Sequence, residues 1–206
     1  MGNAPKRPKT NQRTQARNAT SVADTRDWAA IWRRVGVGVG ILLAAALIVW
    51  IALPQEEAAA GIPEGAVEAP TPTRNHVEGE IAYDELVPPG GDHNSIWLNC
   101  GVYREPVPEE NAVHSLEHGV VWITYQPALD ADSVATLETI GRNRRKVIVS
   151  PVPGQEPAIM LTSWGWQLKL TDPEDSRITQ YLQEFEGTAY APEPGAVCTG
   201  GVGIPS

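Results

Sequence analysis

Hydrophobic positions change their period several times along the chain. Residues 1–27 are polar and basic with almost nothing to bury, so they read as disordered. Residues 35–53, VGVGVGILLAAALIVWIAL, run for 19 residues without a charge. At about 1.5 Å per residue such a helix covers roughly the 30 Å hydrocarbon core of a bilayer, and backbone groups in lipid need internal partners. The run therefore predicts a transmembrane helix. Residues 54–73 are rich in Ala, Pro and Glu and read as a stalk. From residue 74 to 201 the pattern is that of a folded domain. The β-branched and aromatic run VVWITY (120–125) predicts a strand closed by Pro127. Val134, Leu137 and Ile140 fall at helical spacing within 130–144, behind Asp130 or Asp132 as a cap. KVIVS (146–150), AIMLTS (158–163) and WQLKL (166–170) predict three more strands. Residues 173–185 predict a helix with Pro173 in its first turn and Ile178, Leu182 and Phe185 on its apolar stripe.

Strand, helix, three strands and helix make an α+β fold: a mixed sheet with about two helices packed on it. The order is similar to the C-terminal half of a thioredoxin-like fold, but no Cys-x-x-Cys is present, so redox catalysis of that kind lacks its motif.

Charge gives the apolar run a direction. Residues 1–34 hold eight basic and two acidic residues, a net of +6; the remaining eight basic and 23 acidic residues leave 54–206 at −15. Arg33 and Arg34 abut the run and Glu56 and Glu57 lie beyond it, so the positive-inside rule puts 1–34 in the cytoplasm and the C-terminal domain outside the plasma membrane. Trp28 and Trp32 fit the interfacial aromatic belt. A cleaved signal peptide is the alternative, with Ala58–Ala60 as its cleavage site, but the apolar core is too long and its basic start too extended. The twin Arg33-Arg34 has no flanking support as a Tat signal. Gly36 and Gly40 are spaced for close helix contact and would suit a homodimer through the membrane helix. The acidic domain excludes nucleic acid as a partner and leaves an extracytoplasmic protein as one. Arg142, Arg144, Arg145 and Lys146 are its one basic run, read as a solvated helix end.

Cys100 and Cys198 are the only cysteines, and outside the membrane they would form one disulfide; a Cys100 thiolate beside the histidines is the competing reading. All four histidines fall between residues 76 and 118. In HSLEHG, His114 and His118 are four apart, and a helix over 109–117 stopped by Gly119 projects both from one face. His93, in PPGGDH, could add a third imidazole from a loop, and His76 is a weaker candidate. Imidazoles suit Cu or Zn. Against this stands the reading of the histidines as structural hydrogen-bond donors in a non-enzymatic interaction module, with Trp164 and Trp166 as core residues or a partner surface. A third reading takes His114-x-x-Glu117-His118 as the H-x-x-E-H pattern of a zinc hydrolase with Glu117 as its base; otherwise Glu117 orients a histidine. No other catalytic set is evident: Ser95 and Ser115 lie in no nucleophile elbow.

PPGGDH (88–93), CGVY (100–103), NAVHSLEHGVVWITYQP (111–127), SWGW (163–166) and APEPGAVC (191–198) together resemble a bacterial family known as domain of unknown function 3105. The resemblance covers about residues 75–200. It implies an anchored extracytoplasmic protein, motif histidines at His93, His114 and His118, and paired cysteines at Cys100 and Cys198. It implies no activity. Gly90-Gly91-Asp92 stands before His93 where a Ser-Gly-Pro-like stretch is expected.

Overall fold

A computed structural model describes residue 2, residues 32–37 and 39, residues 61–71 and residues 73–206. The expected membrane helix lies outside the described residues apart from 35–37 and 39. Helix α1 (residues 32–37 and 39) is exposed, and no helix among the described residues is long and apolar enough to cross a membrane. The chain divides into two units, Met1–Gln55 and Glu56–Ser206.

The second unit is built on a six-stranded mixed sheet in the order β1-β6-β5-β3-β4-β2. Its centre is β3 (Val121–Tyr125), parallel to β4 (Val147–Pro151) on one side and antiparallel to β5 (Ile159–Ser163) on the other. β5 pairs antiparallel with β6 (Trp166–Leu170). Two-residue strands close both edges: β1 (Val67–Glu68) antiparallel to β6 and β2 (Gly101–Val102) parallel to β4. β1 falls in the segment expected to be stalk. There Ala69 N–H also donates to the Gly165 carbonyl and Arg177 to the Glu64 carbonyl, so 61–71 belongs to the folded unit.

Strand residues alternate between two apolar layers, as the pleat requires. Val121, Ile123, Val147, Val149, Leu161 and Leu168 face one layer with α3 (Ala131–Arg142) and α4 (Ser176–Phe185), through Leu137, Ile178, Tyr181, Leu182 and Phe185. Trp122, Ile148 and Met160 face the other, with α2 (Glu109–Glu117) through Ala112, Val113 and Leu116. Helices thus cover both faces. Asp130 caps α3 by accepting from Ser133 N–H, and the fully buried Leu137 anchors that helix as its spacing implied. Trp164 is buried in the second layer, and Trp166 packs against Phe185 in the first. The basic run is engaged in part: Arg142 donates to the Ser206 carbonyl and Glu138, Arg144 pairs with Glu186, and Lys146 Nζ donates to the carbonyls of His118 and Pro194.

Cys100 and Cys198 form a disulfide across 98 residues. The C-terminal tail then follows residues 97–102: Asn99 N–H donates to the Val202 carbonyl, Val202 N–H to Trp97 and Ser206 N–H to Val102. Closing a loop of this length removes about 4–5 kcal/mol of freedom from the unfolded chain in the entropic account. Replacing both cysteines by alanine is expected to lower the unfolding free energy by roughly 2–5 kcal/mol in denaturant titration, with reductant lowering wild type by the same amount.

Candidate metal centre

Helix α2 starts after Pro108, which fits a first turn where backbone N–H groups lack partners, with Glu109 and Glu110 against the positive end of its dipole. Residues 94–98 run alongside it. Ser115 Oγ accepts from Leu98 N–H at 3.0 Å and donates to the Leu98 carbonyl at 2.8 Å, and Leu98 N–H also reaches the Asn111 carbonyl. This seam carries the Asn94 carbonyl to His114. After Glu117 the helix ends at His118, and Gly119 turns the chain into β3 with φ +82°. A Cβ there would also sit 3.1 Å from Gly187 Cα, whose N–H donates to the Gly119 carbonyl, so a side chain would be both strained and crowded.

His93 arrives from a different element. It forms a parallel bridge with His76: Val77 N–H donates to the His93 carbonyl and His93 N–H to that of Asn75. Asp92 Oδ1 accepts from both Asn75 nitrogens, and the Tyr83 hydroxyl donates to the Asp92 carbonyl. Gly91, at φ +112°, turns its own carbonyl onto the ring of His93.

Three imidazoles share one orientation rule. His93 Nδ1 lies 2.8 Å from the Gly91 carbonyl, His114 Nδ1 2.6 Å from that of Asn94, and His118 Nδ1 2.8 Å from that of Val197. A carbonyl only accepts, so each Nδ1 carries a hydrogen and each Nε2 is the nitrogen turned towards the cluster. This is how ligating histidines are usually held. His93 is fully buried, and its Nε2 has no hydrogen-bond partner. It lies 3.0 Å from Glu117 Oε2. His114 and His118 Nε2 are likewise 3.0 Å apart.

One ligand atom each from His76, His93, His114 and Glu117 lies within 4.8 Å of the others, so this cluster could hold a metal ion. His118 is not in that set, although it touches His114. A tetrahedral ion about 2.0–2.1 Å from its donors would set them about 3.4 Å apart. The His93–Glu117 pair, at 3.0 Å, lies within about half an ångström of that spacing. His76, with a side chain 52% exposed and stacked on His114 at 4.9 Å, is the donor with room to close in. Trp164 meets the His93 ring edge-on at 5.8 Å, and Trp97 lies 5.9 Å from His114 and 5.2 Å from His118. Burial pushes His114 down to about 4, outweighing the Asn94 carbonyl; the neighbouring imidazoles of His118, His93 and His76 act in the same direction. Its ring is therefore neutral, as a ligand must be. Both cysteines are in the disulfide, so Cys100 offers no thiolate.

Sequence reasoning reached His93 and His114 and ranked His76 below His118. It gave Glu117 an outer or catalytic role, because one helix turn sets neighbours on a face and says nothing of which loop lands opposite. The buried carboxylate has Arg74 at 3.8 Å as its cationic neighbour, and that side chain is mostly exposed. Glu117→Gln removes the buried charge and gives His93 Nε2 a donor. It is expected to raise metal-free stability by about 1–2 kcal/mol in denaturant titration, where a purely structural ion pair would give a loss.

A family model described as Protein of unknown function (DUF3105) matches residues 76–200. No curated protein and no solved structure matches the chain.

Proposed function

The chain belongs to the DUF3105 family, more than half its length being covered, and we propose that it is a membrane-tethered, extracytoplasmic module that binds one divalent transition-metal ion. His93, His114 and Glu117 are the buried ligands and His76 is the outer one. The observation that carries the reading is the buried, partnerless Nε2 of His93 beside the Glu117 carboxylate. Burying an unpaired nitrogen against a carboxylate is costly, and a cation shared by both relieves it.

The donor set bears on the ion. Three imidazoles and one carboxylate, with no thiolate or thioether among them, suit Zn2+ and Cu2+ better than Cu+. Four protein donors fill a tetrahedral site, which suits holding or delivering an ion. Release of the exposed His76 would open one position to water or an incoming ligand. A hydrolase reading loses ground here, because Glu117 stands at ligand distance and a base must stand outside the coordination sphere. The strand order β6-β5-β3-β4, with β5 antiparallel to its neighbours, supports a thioredoxin-like core, in which the loop from β3 to α3 carries no cysteine. The tether rests on the apolar run 35–53 and the charge asymmetry across it, and a disulfide suits the oxidising side of the membrane.

Stripping the purified chain with chelator and titrating with Zn2+ and Cu2+ tests the reading. One equivalent is expected to bind, with His93→Ala and His114→Ala weakening it by more than roughly 100-fold, beyond what loss of an outer partner costs. At 100 times Kd the ion should add about 2.7 kcal/mol to wild-type stability and nothing to Glu117→Gln. Absence of binding, or binding that these variants leave unchanged, overturns it.

A further inference from the structure

The donor atoms do not end at the proposed centre. His118 contributes nothing to the four-membered set, yet it is buried, oriented and aimed. Its Nδ1–H is committed to the Val197 carbonyl, and its Nε2 faces His114 Nε2 at 3.0 Å. Two ligands about 2.0–2.1 Å from one ion stand this far apart at a bite angle of roughly 90°. On the far side of His118, Glu193 Oε2 lies 3.9 Å from the same Nε2. Exposure rises along this row, from the fully buried His93 to the His118 side chain at 5% and Glu193 at 57%. Glu193 is held in place as well: its N–H donates to the Glu117 carbonyl at 2.9 Å, and Lys146 Nζ ties the His118 carbonyl to that of Pro194.

We propose that His118 and Glu193 form a second, outer position for the metal ion, sharing His114 with the inner one, and that the ion is exchanged with an outside donor or acceptor through it. This rests on the metal reading above. The ion moves as a ligand-exchange step: bonds to His118 Nε2 and a Glu193 oxygen form as those to His93, Glu117 and His76 break, and the fourth place is left to water or the outside donor or acceptor. The ion keeps its charge and no electron is transferred. His114 stays bound throughout, so the ion never loses all its protein donors. A path of this kind lowers the barrier in both directions alike. Its loss therefore slows binding and release together and leaves the equilibrium where it was.

The test loads the purified full-length chain with one equivalent of Zn2+ and follows transfer to a chromophoric chelator by stopped flow, beside an equilibrium titration. His118→Asn keeps an N–H that can reach the Val197 carbonyl but offers no ligand towards His114. It is expected to bind one equivalent with Kd within about threefold of wild type while transferring it about tenfold more slowly. Glu193→Gln, at an exposed position, should slow transfer by a smaller factor with Kd unchanged. A loss of affinity in His118→Asn as large as in His93→Ala would make His118 a resting ligand and overturn the proposal. Transfer at the wild-type rate in His118→Asn would make it a structural residue and overturn the proposal equally. Should His118→Asn not fold, an unchanged rate in Glu193→Gln overturns it alone. Wild type that takes up no Zn2+ is a different result: it removes the inner site itself.

Discussion

The hydrogen bonds from Nδ1 of His93, His114 and His118 to three backbone carbonyls orient the three buried imidazoles and aim each Nε2. Each carbonyl is delivered by a separate piece of the fold. Gly91 is set by the bridge between residues 76 and 93, Asn94 by the seam that Ser115 makes with Leu98, and Val197 by the tail that the disulfide ties down. Without these carbonyls the rings could turn and satisfy themselves elsewhere. With them, the nitrogens converge where a carboxylate also points.

Such convergence runs against stability. A buried carboxylate beside imidazole nitrogens, with an exposed arginine as its cationic neighbour, is an arrangement that a core selected only for stability would replace. The surroundings over-determine it. Behind α2 lies an apolar layer of Trp122, Ile148, Leu98 and Leu116, and across the sheet lies a second layer of comparable extent. Rigid support of this kind lets a few donors be held in an unfavourable pose.

Much of the scaffold could be read from the chain. The strands at 121–125, 147–151, 159–163 and 166–170 lie within a residue or so of their β-branched runs, because burial and local preference agree there. The helix at 109–117 followed from Gly119 and the His114–His118 spacing. What stayed hidden was non-local. β1 and β2 are two residues each and carry no periodicity; they exist because the neighbouring edges offer hydrogen bonds. His76 reads as the weaker candidate from the chain alone, and its backbone bridge to His93 brings it in. Glu117 looked like a helix-end charge, since nothing in HSLEHG says that His93 will face it. The one available signal was negative: a carboxylate between apolar Leu116 and a histidine, on the buried side of a helix, calls for a partner.

Anomalous scattering from crystals soaked in Zn2+, recorded on both sides of the zinc edge, is the most direct measurement of the central claim. The account predicts one ordered peak about 2.0–2.1 Å from Nε2 of His93 and of His114, with a Glu117 oxygen at similar distance. A peak held elsewhere on the chain, or His93 Nε2 found hydrogen-bonded to a water or protein donor with no peak beside it, would contradict it.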